Sequence, residues 1–231
     1  MDAEADVAAV TRVLANPARL AMLELLMDGR SHPAGELARE ANVALSTASG
    51  HLAELAEAGL VEVEPAGRQR RYRLSRPEVA RAIEALTVIA PPRRVSSLRA
   101  ATAAERLRAG RTCYDHLAGR LGVGITDALV SRRALRARDG AFVVTSSGER
   151  LLASIGVDVD AARERRRAFA LPCQDWTERR SHLAGALGAE LCDRLLELGW
   201  VERRGPGRAV ALTELGTDRL REAIGFESAA A

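Results

Sequence analysis

The chain has 231 residues, 47% of them hydrophobic, and a net charge of +3, which suits one or two packed domains and does not by charge alone point to a polyanionic partner. No apolar run reaches the roughly 18 residues of a membrane span, and the acidic start Met1-Asp2-Ala3-Glu4 lacks a signal-peptide pattern, so a cytoplasmic protein without a membrane partner is expected. Three cysteines are too few and too odd in number for a disulfide framework and read as free thiols, metal ligands or redox groups.

In chain order, Val7, Val10, Val13 and Leu14 keep helical spacing and predict a helix over 5–15. Asn16 is a good cap and Pro17 a good first residue for the next helix, whose stripe is Leu20, Leu23, Leu26 and Met27, with Asp28-Gly29 as the stop. Two short helices follow at 34–41 and 46–58. Gly59 ends the second, and Val61-Glu62-Val63-Glu64 alternates as a strand. Pro65-Ala66-Gly67 then turns the chain into Arg71-Tyr72-Arg73-Leu74. Arg68, Arg70, Arg71, Arg73 and Arg76 crowd this hairpin and its exit, and all 34 basic residues of the chain are Arg. A further helix is predicted at 78–90. Pro91-Pro92-Arg93-Arg94 is the best domain boundary.

The order helix, helix-turn-helix, basic hairpin, helix is that of a winged helix-turn-helix. A short helix reads base edges in the major groove, and a basic hairpin supplies phosphate contacts. Residues 15–75 resemble the arsenic-repressor (ArsR/SmtB) family through Leu14-Ala15-Asn16-Pro17-Ala18-Arg19-Leu20, Glu36-Leu37-Ala38, Ser49-Gly50-His51-Leu52 with Leu55, Ala58-Gly59-Leu60-Val61, and Gly67-Arg68 with Tyr72-Arg73-Leu74. The resemblance implies a transcriptional repressor, a homodimer joined by the helices at about 5–15 and 78–90, and binding to operator DNA that an effector relieves. The expected DNA-binding set is Leu45, Ser46, Thr47, Ser49, Gly50, His51, Arg68, Gln69, Arg70, Arg71 and Tyr72. Ala44 and Leu45 stand where the family often has a hydroxyl cap and a polar reader. The family's usual metal positions are missing: the helix at 34–41 has no cysteine, and that at 78–90 has no His or Cys.

The second half contains a duplication. His116-Leu117-Ala118-Gly119-Arg120-Leu121-Gly122 recurs as His182-Leu183-Ala184-Gly185-Ala186-Leu187-Gly188, and Val144-Thr145-Ser146-Ser147-Gly148 matches Leu212-Thr213-Glu214-Leu215-Gly216. Each copy reads as helix, strand, turn, strand, helix. The expected fold class is therefore mostly α with small β-hairpins (α+β), with a winged helix-turn-helix domain at 1–90, a connecting helix at 91–110 and a duplicated effector domain at 111–231, the copies spanning about 116–156 and 182–225. Cys113-Tyr114-Asp115-His116 and Cys173-Gln174-Asp175-Trp176 followed by His182 are its unusual residues. Four readings stay open. A transition metal such as zinc could sit on Cys113, His116, Cys173 and His182. The thiols could sense redox state. Tyr114 and Trp176 could line a pocket for a small-molecule effector. Or the segment could be a close-packing helix with His and Asp capping its start, Gly119 and Gly185 allowing the approach. Proximity of the four Cys and His residues is expected if the copies pack about a pseudo-twofold axis. No glycine-rich phosphate loop, Gly-x-Ser-x-Gly elbow or His-Glu-x-x-His is present, so an enzyme is not expected. The alternatives to an effector-controlled repressor are a protein-interaction module whose winged helix no longer binds DNA, against which the basic hairpin argues, and an enzyme fused to a winged helix.

Overall fold

Two side-chain caps set the start of the chain. Asp6 accepts from Ala9 N at the head of α1 (Val7–Leu14), and Asn16 accepts from Ala18 N and Arg19 N at the head of α2 (Pro17–Leu26). The computed structural model describes residues 4–67, 69–91, 97–205 and 207–227, and divides into two units, Met1–Ile83 and Glu84–Ala231.

In the first unit, α2 leads to β1 (His32–Pro33), α3 (Ala34–Glu40), α4 (Leu45–Glu57), β2 (Val61–Ala66) and β3 (Gln69–Leu74), with α5 (Pro77–Ile89) after it. Met22, Leu23, Leu26, Leu37, Leu52 and Leu55 are fully buried between the helices. The sheet order is β1-β3-β2, so the wing has three strands where the sequence suggested a hairpin. His32 pairs with Tyr72 and Pro33 with Arg71. A two-residue strand carries no alternation to read. Helix α4 starts at Ala44 without any side-chain cap. Ala44→Ser is expected to raise the unfolding free energy by about 1 kcal/mol, read from the denaturant midpoint.

The second unit opens with α6 (Leu98–Ala109). The first copy of the duplication follows: β4 (Arg111–Cys113), β5 (His116–Ala118), α7 (Gly119–Ser131), β6 (Leu135–Arg138), β7 (Ala141–Val144) and α8 (Ser146–Ser154). After α9 (Val159–Glu164) comes the second: β8 (Leu171–Gln174), β9 (Ser181–Ala184), α10 (Gly185–Glu197), β10 (Val201–Arg203), β11 (Val210–Leu212) and α11 (Glu214–Ile224). Each copy is a hairpin, a helix, a second hairpin and a helix. Thr145 and Thr213 cap the last helices by accepting from Gly148 N and Gly216 N, at 3.0 and 2.9 Å. The copies exchange contacts reciprocally: β5 packs on α10 and β9 on α7, the pattern of an isologous interface. One core runs through both, including Leu121, Ile125, Leu129, Leu187, Leu191 and Leu195.

The leading hairpins correct one expectation. His116 and His182 lie in strands, and α7 and α10 begin only at Gly119 and Gly185, with no side-chain cap. The helix-capping reading of His and Asp is therefore overturned. Gly119 and Gly185 also differ in role from the expectation. They make the strand-to-helix turn at φ of +72° and +82°, where a Cβ would fall 2.6 Å from Arg108 O and 2.7 Å from Ala168 O. The close approach beside the His residues belongs to the next glycines, Gly122 and Gly188.

Candidate functional site

Two surfaces carry chemistry. The first is the N-terminal end of α4 beside the wing. Leu45 is 56% exposed, and Ser46, Thr47, Ser49 and Gly50 also face solvent, while His51 is half-buried. The Ser49 hydroxyl donates to Leu45 O at 2.9 Å, which leaves its lone pairs for another donor. A groove lined by Leu45, Ser49, Val63, Gln69 and Arg70 runs between α4 and the wing. Gln69 and Arg70 are exposed. Arg71 is half-buried and donates from Nε to Ser31 Oγ at 3.1 Å and from Nη2 to Ser31 O, so it holds the wing to the body. Arg73 pairs with Glu62 and Glu64 at 2.7 and 2.6 Å. Tyr72 is 8% exposed. Of the expected DNA-contacting residues, Arg71 is thus engaged with Ser31, and Tyr72, though largely buried, lines the groove beside Gln69 and Arg70. Arg68 lies outside the described residues.

Behind α4, Arg19 pairs with Glu54 and donates to Val13 O at 2.7 Å and Arg12 O at 3.3 Å, closing the end of α1 and tying it to α4. A network that the sequence reading missed lies under the wing. His32 is buried, with Nε2 2.9 Å from Asp28 Oδ2 and Nδ1 2.8 Å from Glu36 Oε2. The hydrogen bond to Asp28 raises the His32 pKa from 6.5 against the opposing effect of burial. Burial pushes Asp28 up from 3.8, but hydrogen bonds from His32 and Arg30 outweigh it and its pKa falls. A raised histidine pKa stabilises the fold fully below about pH 6.5 and is lost as pH rises through the folded value. A lowered carboxylate pKa stabilises fully above about pH 3.8 and is lost in acid. The unfolding midpoint of this unit should therefore drop as pH rises above about 6.5, and His32→Gln should flatten that slope.

The second surface is the meeting of the two copies. Cys113 pairs with His116 across β4–β5, and Cys173 with His182 across β8–β9. The four side chains form one cluster, their Cys and His donor atoms all within 4.8 Å of one another. Cys113, His116 and His182 are buried and Cys173 is half-buried. The two sulfurs stand 4.0 Å apart, and the imidazole rings lie 5.1 Å apart between centroids. The proximity read from the duplication is thus present.

Each imidazole faces a carboxylate. His116 Nδ1 is 3.2 Å from Asp115 Oδ1, and His182 Nδ1 is 3.3 Å from Asp175 Oδ2, the latter without hydrogen-bond alignment. His116 Nε2 and both ring nitrogens of His182 have no hydrogen-bond partner although buried. Asp115 is paired with Arg167. Asp175 is fully buried and accepts from Arg111 Nη2 at 3.0 Å, Gly119 N at 2.7 Å and Thr177 N at 2.9 Å. Burial opposes its charge, but His182, Arg111 and these donors hold its carboxyl well below the usual range. Burial also opposes protonation of His116, yet the neighbouring Asp115 carboxylate and Cys173 sulfur lift it to about 9. The hydrogen bond from Cys113 holds the Cys173 thiol well below its ordinary value, and the same bond, with burial, raises Cys113.

Tyr114 sits at φ +62° in the β4–β5 turn, and the Trp176 ring lies 4.9 Å under the Arg111 guanidinium. Two shallow clefts on this unit are lined by neither of them. Burial pushes the Cys192 thiol to about 12, as suits an inert core residue.

A helix-turn-helix with an exposed hydroxyl-bearing helix end beside a basic wing defines the class of DNA-binding transcriptional regulators. The helix-turn-helix domain family matches residues 14–64. The uncharacterized HTH-type transcriptional regulator YdfF of Bacillus subtilis is 45% identical over 211 residues, covering 91% of this chain and 93% of that protein. The regulator CmtR of Mycobacterium tuberculosis is 38% identical over 86 residues, covering 37% of this chain and 72% of its own, and an NMR structure describes it as a cadmium metal-sensor, with a TM-score of 0.33 at 35% identity over 39% of this chain and 94% of that one. The homodimeric DNA-binding domain of Mb0332 from Mycobacterium bovis, described as a possible ArsR-family regulator, is 33% identical over 38% of this chain and 89% of its own, with a TM-score of 0.34. The chain belongs to the HTH-type transcriptional regulators, as an ArsR-like winged-helix member.

Proposed function

We propose that the protein is a repressor that binds operator DNA as a homodimer and is released by an effector taken up in its second unit. The observation that carries DNA binding is the exposed end of α4 facing a groove shared with Gln69 and Arg70. On this reading Ser46, Thr47 and Ser49 meet base edges, Leu45 packs on a thymine methyl, and Gly50 admits the backbone closely. His51, Arg70 and Arg68 meet phosphates. Residues 1–90 form the DNA-binding and dimerisation domain, 91–110 the connection and 111–231 the effector domain. Dimerisation is supported by Val7 and Val10 on α1, a helix that buries none of its residues, and by Leu86 and Ile89 on α5, all exposed apolar side chains. The Mycobacterium bovis relative is likewise described as homodimeric.

Effector control is supported by the Cys/His cluster, and by a link within the second unit. Thr112 N, next to Cys113, donates to Arg208 O at 2.8 Å, and Arg208 Nη1 donates to Glu84 Oε1 on α5 at 2.6 Å. A change at the cluster thereby reaches the proposed dimer helix.

Fluorescence anisotropy with duplexes from the gene's upstream region tests the DNA-binding part. A site of about 20 base pairs with imperfect inverted symmetry is expected, its two recognition helices about 34 Å apart. Arg70→Ala should weaken all sequences about equally and lower the salt slope by about 1, whereas Thr47→Ala should change which sequences are preferred. Unchanged affinity of Arg70→Ala at every salt concentration would remove the wing from the interface.

A further inference from the structure

We propose that Cys113, His116, Cys173 and His182 form a closed tetrahedral site for a zinc-class divalent metal ion, which clasps the two copies of the duplication together. The proposal names the effector region's ligand and rests on the reading above only for its regulatory meaning; the site itself stands on geometry.

Three observations converge. First, the donor set is two thiols and two imidazoles, which suits Zn(II). With bonds of about 2.3 Å to sulfur and 2.0 Å to nitrogen, the edges of such a tetrahedron run from about 3.3 to 3.8 Å. The observed sulfur–sulfur separation of 4.0 Å, and the 4.8 Å that spans the whole set, need only a small contraction. Second, His116 and His182 are nine-tenths or more buried and keep ring nitrogens without hydrogen-bond partners. A buried polar atom without a partner is costly, and a metal ion removes that cost. Third, each His presents Nδ1 to a carboxylate, Asp115 or Asp175. This is the outer support that orients metal-bound histidines and fixes their tautomer, and it assigns Nε2 of both rings to the ion. The two carboxylates occupy equivalent places, each two residues after a ligand cysteine.

The site is built by duplication. Each copy supplies one cross-strand Cys–His pair, and the reciprocal packing of β5 on α10 and β9 on α7 brings the pairs together. Gly188 makes room: a Cβ there would lie 3.2 Å from the His116 Cβ. Half-buried Cys173 gives the ion an entrance. Binding needs both sulfurs as thiolates and both imidazoles neutral, so it releases whatever protons these four groups carry and leaves no net charge on the core. Four protein ligands leave no open position for water, so the ion holds structure rather than performing catalysis.

The test uses the full chain, purified without added metal. Elemental analysis should find about one zinc per chain. Replacement by Co(II) should give the intense visible bands of tetrahedral cobalt with a thiolate charge-transfer band in the near ultraviolet. A strong chelator should lower Tm by about 10 °C or more, and added zinc should restore it. Cys113→Ser and Cys173→Ser should each alter the cobalt spectrum, and Cys192→Ala should leave it unchanged. Loss of metal together with three freely titrating thiols, a Cys113–Cys173 disulfide, or octahedral cobalt bands would overturn the proposal. The chelator and cobalt measurements on the unaltered chain stay decisive if a variant fails to fold. DNA binding measured on the same preparations separates the two readings: a protein that binds operator but takes up no zinc or cobalt sinks the clasp alone, and one that binds metal but no DNA in either its metal-free or its metal-loaded form sinks the operator reading alone.

Discussion

Asp175→Ala is expected to unfold the second unit under conditions in which the first stays folded. Asp175 has no exposure and sits against Arg111, which has none either. Arg111 donates to Asp175 Oδ2 at 3.0 Å and to Leu107 O at 3.1 Å, and its Nε has no hydrogen-bond partner. Removing the carboxylate leaves a buried guanidinium uncompensated, a loss of about 3–5 kcal/mol. It also strips acceptors from Gly119 N, Thr177 N and Glu178 N, at 2.7, 2.9 and 3.1 Å. Gly119 is the turn into α7, so the damage spreads from a loop to the first copy of the duplication. Asp175→Asn keeps an acceptor and should lose less. Urea unfolding followed by circular dichroism should show a separate early transition in Asp175→Ala. A single transition at the unaltered midpoint would mean that the network contributes little.

Gly188→Ala should damage both stability and the Cys/His cluster. Its Cβ would fall 2.5 Å from Leu183 O and 2.9 Å from Leu183 C, both backbone atoms, besides the contact with His116. Neither backbone atom can rotate away, so α10 must lift from β9. Overpacking of this kind costs on the order of 3 kcal/mol. The displacement also pushes His116 away from its partners, so the metal-binding stoichiometry should fall along with stability. Gly50→Ala is the matching control, because a Cβ there meets nothing within 4 Å. Equal stability of Gly188→Ala and the unaltered protein would show that α10 is less tightly seated on β9 than its contacts indicate.

Much of this architecture was legible in the residues. Asn16-Pro17 marks the head of α2 because the cap and the fixed proline φ are local physics, and both are realised. The repeated His-Leu-Ala-Gly segment revealed the duplication and placed four distant side chains in one cluster. Its secondary structure was misread because three- and four-residue strands show no alternation, and the glycine-rich run that follows looks like a helix start. The unequal spacing of Cys to His, three residues in one copy and nine in the other, hid an equivalence that only strand register exposes: the β4–β5 connection is a tight turn, and the β8–β9 connection is a loop built around Asp175. In the wing, the hold of Arg71 on Ser31 was not legible because β1, with two residues, leaves no alternation to read. The Asp28–His32–Glu36 network was present in the four-residue spacing but spans a turn, a strand and a helix, so no single periodicity reports it.

If ion binding at the Cys/His cluster of the second unit governs DNA binding by the first, as proposed above, zinc must change operator affinity. Operator affinity should be measured by anisotropy on metal-free protein and then on the same protein with one equivalent of zinc, beside the Cys113→Ser/Cys173→Ser double variant. Tight binding is expected without metal, with weakening of roughly tenfold or more on zinc addition, and no zinc response in the double variant. Equal affinity with and without zinc in the unaltered protein, with the metal shown to be bound, would contradict it.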